Sequence, residues 1–558
     1  MRRLRGIAAA PGVAAAPPYR LAFDAGPGGA RLDLDAAVEV AVAQLDALAA
    51  RLAAAGRPDE GAIFDAQALL AQDEELLGAA RTSVAAGEGV DAAVVAAGEE
   101  AATMLAALDD ETLAARAADV RDVAARIARA ARGEAPPRLE RPSVLVAADV
   151  APSITAELDR SLLAGIALEG GSRTSHAAIL ARALGIPAVV GIPGLLAAVE
   201  GAGELIVDGT SGEVIVEPDA AARGHAIAAG DAHRAQLARD LALATQPLAL
   251  AGGHRLVLAA NIGSPEEAAR AVAAGAEAVG LFRTEFAFLE RAAAPDEATQ
   301  AAAYASVLRT LGPRPVVMRL LDVGGDKPLP YLPMPVEANP FLGVRAIRLV
   351  HAHREIMATQ LRAILRASRA AGVAEPRIMA PMVADLADLR EVRGLLDEAL
   401  AATGGDGVAP RLGIMVEVPS AVLVADQLAR EAAFFSVGTN DLTQYLLAAD
   451  RTNPALAERQ DPLHPAVLRA IARVVAAAGA GGIEVAVCGE MGGDPAGALL
   501  LAGLGVDELS MDAGAFGGVK RALAGVTLAE ARSLAGAALE LDDAAAVRRL
   551  VGVRVGTA

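Results

Sequence analysis

The sequence predicts an α/β multidomain protein with a C-terminal (β/α)8 TIM barrel, preceded by a small α/β domain that a four-helix insert interrupts. Three observations carry that prediction. From residue 255 onward, eight short apolar runs alternate with helical stretches, as parallel strands each followed by a helix would. Residues 35 to 133 hold alanine-rich stretches with charges every few residues and no strand pattern. Strand character lies on both sides of those helices, in the first 20 residues and again in SVLVAADV (143 to 150), ELIVDG and GEVIVEP.

At 558 residues the chain has room for three or four domains with large cores. A net charge of -19 argues against non-specific nucleic-acid binding and makes any cationic patch local, around an anionic ligand or a partner. Alanine inflates the apolar fraction, but no uninterrupted apolar run reaches the length of a membrane span, so no membrane insertion is expected. The start, MRRLRGIAAAPGVAAAPP, imitates a signal peptide, yet Pro11, Pro17 and Pro18 break what should be its helix, and it reads as the first strand of the fold. Cys488 is the single cysteine; it excludes an internal disulfide and fits a reducing, cytoplasmic location.

Taken in order, residues 1 to 20 and 135 to 217 read as one α/β domain, and 21 to 134 as the helical insert with helices at 35 to 55, 59 to 86, 90 to 107 and 110 to 132. Residues 218 to 247 read as one linker helix with soft points at Gly224 and Gly230, and 248 to 558 as the barrel domain. The eight strand candidates begin at Leu256, Ala278, Val316, Arg377, Arg411, Phe434, Glu484 and Glu508.

Within the small domain, EGGSRTSHAAILARALGIPAVVG (169 to 191) places His176 at the start of a helix. Gly170 and Gly171 allow a tight turn, Thr174 or Ser175 can cap, Ile179, Leu180, Ala183 and Leu184 follow at helical spacing, and Gly185 with Pro187 ends it. A histidine in the first turn faces unpaired backbone N–H groups and the positive end of the helix dipole, which favour an anion on its ring. Read alone, a Ser-His at a helix start is also an ordinary cap beside a bystander imidazole.

In the barrel, Arg283, Arg319, Lys327, Glu417, Asn440, Asp441 and Cys488 all fall at or just after the C-terminal ends of the apolar runs, where barrel active sites are built. Arg283, Arg319, Arg345 and Arg451, with Lys327, supply the cations that a phosphate-and-carboxylate ligand needs. For Arg345 and Arg348 a surface salt bridge is the competing reading. Glu417 and Asp441 are hard oxygen donors suited to Mg²⁺ held by few carboxylates. Asn440 can donate to a phosphate, and a protonated Cys488 thiol can deliver a proton to carbon.

The segment GSRTSHAAILARALGIPAVVG is similar to the phosphohistidine signature of the phosphoenolpyruvate-utilising phosphotransferases, with Ser172 where the family usually has its second glycine. LFRTEFAFL, LLDVGGDKPLPY, NPFLGVRAIR, VEVPSAVLVAD, FFSVGTNDLTQYLLAADR and CGEMGGD extend the resemblance over nearly the whole chain, to the Enzyme I family of the sugar phosphotransferase system. The resemblance implies a swivelling phosphohistidine domain, a helical subdomain that docks the small carrier HPr, and a barrel that binds phosphoenolpyruvate and forms a homodimer. It implies phosphoenolpyruvate binding by Arg283, Arg319 and Arg451, Mg²⁺ at Glu417 and Asp441, proton donation by Cys488, and phosphorylation of His176 at its tele nitrogen. FDAQALLAQDEELL (64 to 77) resembles the docking helix pair, with Asp73, Glu74 and Glu75 available to a basic face and Gln67 where many relatives carry histidine; a solvated acidic corner is the plain alternative. AARAADVRDVAARI (114 to 127) matches a family segment, in which Asp119 and Arg121 would orient the insert.

The expectation is therefore transfer of a phosphoryl group from phosphoenolpyruvate through His176 to HPr with release of pyruvate. The rivals are a non-catalytic carrier-binding paralogue and a synthase or dikinase. The latter needs a nucleotide-binding domain, and the sequence shows no P-loop.

Overall fold

The computed structural model describes residues 1–21, 31–54, 58–106, 111–134, 137–150, 154, 157–171, 175–246, 248–289, 293–324, 329, 331, 332, 334, 337–404, 407–451, 453, 456 and 459–555. They form two compact units, 1–235 and 236–558.

In the first unit, nine strands make two sheets. They are β1 (Arg2–Arg5), β2 (Ile7–Ala10), β3 (Val13–Ala16), β4 (Pro18–Arg20), β5 (Ser143–Ala147), β6 (Leu163–Leu168), β7 (Ala188–Val190), β8 (Leu205–Asp208) and β9 (Glu213–Val216). The orders are β1-β9-β8-β3 and β2-β7-β6-β5-β4. The single N-terminal strand expected from the sequence is thus four short strands. Proline cannot donate to a ladder, and Pro11 and Pro17 interrupt this stretch, while Gly12 at φ 119° turns the chain from one sheet to the other. The first 20 residues serve both sheets, pairing Val13 with Asp208 in one and Pro18 with Val144 in the other. Strand β5 is buried throughout, with Leu145 and Ala147 in one core and Val144 and Val146 in another, as side-chain alternation requires.

The insert contains, among the described residues, α1 (Leu34–Ala54), α2 (Pro58–Leu70), α3 (Glu74–Ala85), α4 (Val90–Ala106) and α5 (Glu111–Ala131). The helix expected over 59 to 86 is therefore two. Asp73 takes an extended conformation and its carboxylate accepts from the N–H groups of Glu75 and Leu76, starting a new helix instead of continuing the old one. Leu45, Leu48, Phe64, Leu76, Leu77, Val94 and Ile127 lie in the insert's core.

Residues Ala220–Ala244 form one helix that runs through Gly224 and Gly230. Gly230 does not behave as the soft point expected of it: a Cβ there would lie 2.7 Å from the Val13 carbonyl oxygen, so the glycine lets the helix approach β3.

The second unit is the predicted (β/α)8 barrel. Its strands are β10 (Val257–Ile262), β11 (Ala278–Arg283), β12 (Val316–Arg319), β13 (Arg377–Ala380), β14 (Arg411–Val416), β15 (Phe434–Val437), β16 (Glu484–Val487) and β17 (Glu508–Met511), closed in sequence order. All pairings are parallel, and β10 pairs with β17 to complete the ring. Each begins in one of the eight apolar runs. Leu281, Val317, Met379, Met415, Phe434 and Cys488 cluster as a plug in the barrel, while Leu258, Phe282, Met318, Ile378, Ile414 and Phe435 belong to the surrounding core. Among the described residues no helix is long and apolar enough to cross a membrane.

Candidate active site at the barrel mouth and the histidine helix

The C-terminal ends of β11 to β16 carry a connected set of charges. Arg319, the last residue of β12, pairs with Glu285 after β11 and, at 3.1 Å, with Asp322 on its own loop. Asp322 also takes the guanidinium of Arg345, whose Nη2 lies 3.0 Å from both of its carboxylate oxygens. Arg345 continues to Asp441 Oδ1 at 3.1 Å, and Asp441 Oδ2 accepts from Arg451 at 3.1 Å. Phe341 lies under both of these guanidinium groups, 5.9 Å from that of Arg345 and 5.4 Å from that of Arg451. At 1 % exposure Arg345 is central to this chain of charges, so the surface salt bridge does not apply to it. Arg348 instead donates to the carbonyls of Leu342 and Gly343.

Burial alone would lower the pKa of these arginines. For Arg319 the charges of Glu285 and Asp322 outweigh it, and for Arg345 those of Asp322 and Asp441, so both stay cationic above their ordinary value. Glu417, 1 % exposed just after β14, accepts at Oε1 from the Met382 N–H at 2.7 Å. Its Oε2 is buried with no hydrogen-bond partner among the described residues, as are Glu285 Oε2, Arg319 Nε and Thr439 Oγ1. Burial, then the charges of Asp441 and Asp322, push the Glu417 carboxyl up to about 8.

The donor set fits a divalent cation. Glu417 Oε2 has an open lone-pair face, and Gly438 leaves room beside it, where a Cβ would sit 2.8 Å away. Asp441 keeps unused lone pairs after both arginine contacts, since a carboxylate offers about four acceptor positions. Among the described residues no group of three or more His, Cys, Asp and Glu side chains is placed to hold a metal.

Cys488 follows β16, 3 % exposed, with its thiol 3.7 Å from the Val437 carbonyl. Burial pushes its pKa up to about 11, with the Glu417 charge adding to the rise, so the group is a thiol at neutral pH. Arg283 ends β11 exposed, and its charge and that of Arg319 are felt at the thiol. The Asn440 amide reaches Glu490, accepting from its backbone N–H at 3.0 Å. Lys327 lies outside the described residues. Asp322 and Glu285 were not singled out from the sequence. The available signal was an acid three residues after Arg319 in LLDVGG and one two residues after Arg283.

In the first unit, His176 is the first residue of helix His176–Leu184, with Ser175 at the N-cap position and Gly185 left-handed at the C-cap. Gly171, at φ 93°, makes the turn ahead of it. Ser172, Arg173 and Thr174 lie outside the described residues. Ala177, Ala178 and Ala181 bury the helix and Leu180 is half-buried, so small residues set the packed face. In the insert, Asp73 is committed to its cap and Glu74 pairs with Arg81 at 2.9 Å, while Glu75 is exposed. Gln67 is buried and donates to Asp119 at 3.1 Å, and Arg121 forks onto Glu99 at 2.8 Å, so these residues tie helices together.

Three family models match: "PEP-utilising enzyme, N-terminal" over residues 5–116, "PEP-utilising enzyme, mobile domain" over 139–212 and "PEP-utilising enzyme, PEP-binding domain" over 238–528. The phosphoenolpyruvate-protein phosphotransferase of Geobacillus stearothermophilus is 41% identical over 92% of this chain and 91% of its own length. The multiphosphoryl transfer proteins of Rhodobacter capsulatus and Xanthomonas campestris pv. campestris are 42% and 44% identical over 98% and 89% of this chain. The chain spans 67% and 60% of those two longer relatives.

Proposed function

Because the chain belongs to the PEP-utilising enzymes, and within them to the phosphoenolpyruvate-protein phosphotransferase family, we propose that it moves the phosphoryl group of phosphoenolpyruvate onto His176 and then to a small histidine carrier of the HPr kind, as the first step of sugar uptake. The observation that carries this reading is the continuous chain Arg319–Asp322–Arg345–Asp441–Arg451, buried up to the half-buried Arg451, beside Glu417 and Cys488 at the barrel mouth. A chain of guanidinium groups interleaved with acids holds its forks at set positions before substrate arrives, so little reorganisation remains for the reaction.

In this reading Arg283, Arg319 and Arg451, with Arg345 behind them, receive the phosphate and carboxylate of phosphoenolpyruvate, helped by Lys327 and Asn440. Glu417 and Asp441 would hold Mg²⁺, which would supply charge neutralisation at the transferring phosphoryl group. An imidazole nitrogen of His176 attacks phosphorus, forming an N–P bond as the bond to the enolate oxygen breaks. The electron pair returns through the enolate to its methylene carbon, which takes the Cys488 proton, leaving pyruvate and a thiolate that solvent reprotonates. The raised thiol pKa supports the donor role because the proton is present at neutral pH.

His176 must then serve two stations, the barrel mouth and the carrier, so the reading includes movement of the histidine domain. For the carrier, Ile63 and Leu69 on α2 and Glu75 on α3 are exposed, and an exposed acid there suits a basic partner. Dimerisation through the barrel, Mg²⁺ dependence and a cytoplasmic setting belong to the same proposal.

Intact-mass spectrometry at mildly alkaline pH, after adding phosphoenolpyruvate and Mg²⁺, tests it. One acid-labile phosphoryl group should appear on the wild type, be absent from His176→Ala, and vanish when purified HPr is added. A phosphoryl group that persists in His176→Ala would overturn the assignment.

A further inference from the structure

Arg283 and Arg319 are the last residues of their strands, and one buried amide behind them joins the loops that follow. Gln360 lies on the helix Val350–Ala370, outside the barrel wall, and is 0 % exposed. Its Oε1 accepts the N–H of Leu321 at 2.8 Å, and its Nε2 donates to Thr284 Oγ1 at 2.8 Å and to the Tyr304 hydroxyl at 3.3 Å. Thr284 Oγ1 passes the contact on by donating to the Arg319 carbonyl at 2.8 Å. Both amide protons and the amide oxygen therefore have partners.

What those partners flank gives the amide its meaning. Thr284 sits between Arg283 and Glu285, and Leu321 sits one residue before Asp322 and two after Arg319. One side chain thus pins the backbone beside four charged groups on two successive strand ends. The β11–β12 register shifts between Val279 and Phe282 and then resumes with Phe282 opposite Met318 and Arg283 opposite Arg319, so the ladder pairs the two arginines and leaves the loops beyond them to other contacts. Only a side chain with an acceptor and two donors at one terminus can bridge these groups. A carboxylate lacks the donors and a methionine lacks both.

We propose that Gln360 is a positioning residue that fixes the two loops just beyond the paired Arg283 and Arg319, and with them the carboxylates of Glu285 and Asp322 that aim the Arg319 fork at the phosphoryl group in the transition state. Tyr304 belongs to the same network: its hydroxyl accepts from Gln360, donates to Gln300 Oε1 at 3.3 Å and stands within hydrogen-bonding reach of Thr284. The inference rests on the phosphoenolpyruvate reading for its catalytic consequence but not for its structural one. It therefore makes two separable claims, one about loop order and one about rate.

The test uses the full chain with Mg²⁺ and three variants: Gln360→Met, Thr284→Val and Thr284→Ser. Hydrogen exchange should quicken in segments 284–286 and 320–322 in Gln360→Met and Thr284→Val, and stay near wild type in Thr284→Ser. Phosphorylation of His176 by phosphoenolpyruvate should lose about 10- to 100-fold in kcat in the first two variants and be restored by Thr284→Ser. A general loss of core stability would lower the thermal midpoint of all the variants while leaving kcat and KM of the folded fraction intact, and that result overturns the proposal. If Gln360→Met does not fold, the Thr284→Val and Thr284→Ser pair decides by the same readings. A wild type that takes no phosphoryl group would sink the functional reading, while the exchange pattern would still decide whether Gln360 holds the loops.

Discussion

Glu417 follows β14 at the C-terminal end of the barrel, and Glu508 begins β17 at the opposite end. Burial is the largest cause of a raised pKa in both, to about 8 and about 7 respectively. Part of Glu508's surface stays open, but its carboxyl tucks against Gly280, where any side chain would collide with Oε1. The surroundings then diverge. Around Glu417 stand Asp441, Asp322, Arg345 and Arg319, joined in one network with buried polar atoms still unpartnered. Around Glu508 stand Glu484, Asp507 and Glu277 with one cation, Arg377, which is engaged with Glu484 at 2.7 Å and lies 4.5 Å over the Phe434 ring; Arg377 Nε and Glu277 Oε1 are also without partners among the described residues. A raised carboxyl pKa and unpartnered atoms thus accompany burial at both ends, and what singles out Glu417 is the line of arginines at the C-terminal end of the barrel.

The sharpest way to break this contrast is to neutralise each acid. Glu417→Gln should cut kcat for phosphoenolpyruvate-dependent phosphorylation of His176 by about 100- to 1000-fold, whereas Glu508→Gln, at the barrel's stability face, should stay within about threefold. Equal losses would mean that the two ends are not functionally distinct. The arginines offer the next comparison. Arg345→Lys keeps a charge but loses the fork between Asp322 and Asp441, so KM for phosphoenolpyruvate should rise about 10-fold or more. Arg377→Lys weakens the stack on Phe434 and should lower stability by about 1 kcal/mol in urea titrations with kinetics unchanged.

The same contrast explains what the sequence made legible. All eight barrel strands were readable because each is a short apolar run, and site residues were readable because they sit where those runs end. Cys488 and Glu417 come directly off strand ends, and Asp441 stands in the first turn of the helix that follows β15. Asp322 and Glu285 were not legible, since an acid in a loop has no periodicity; the approach of β11 to β12 brings Glu285 to Arg319, and the turn after β12 brings Asp322 back onto it. Gln360 was further out of reach: it lies on a helix 76 residues beyond Thr284, and nothing local marks its amide. In the first unit, alternation revealed β8 and β9, but the break of one apparent strand into four depended on which sheet each piece joined.

A smaller effect comes from pH. Because Glu417 is raised above its unfolded value, the folded state holds a proton that the unfolded state releases. The stability this contributes is fully present below the ordinary glutamate pKa and is lost as pH rises toward about 8. Mg²⁺ competes with that proton, so the rise in thermal midpoint on adding Mg²⁺ should grow from pH 6 to pH 8.5, measured by scanning calorimetry. Glu417→Gln should abolish the Mg²⁺ effect, and Glu508→Gln, which shares the sign of the proton linkage but not the site, should keep it.

The smallest effect reads the thiol directly. Cys488 lies at the mouth side of the same apolar plug that holds Phe434, and its pKa is pushed to about 11 chiefly by burial, with Glu417 adding to the rise. Alkylation by iodoacetamide proceeds through the thiolate. Its rate in the folded protein should therefore keep climbing about tenfold per pH unit through pH 9.5, where an ordinary thiol, with a pKa near 8.5, has levelled off. Glu417→Gln removes a nearby negative charge and should bring the inflection down, while Glu508→Gln should leave it in place. An inflection near 8.5 in the wild type would mean that the thiol is better solvated than its 3 % exposure implies, and the barrel mouth would lose the protonated donor that the proposed chemistry needs.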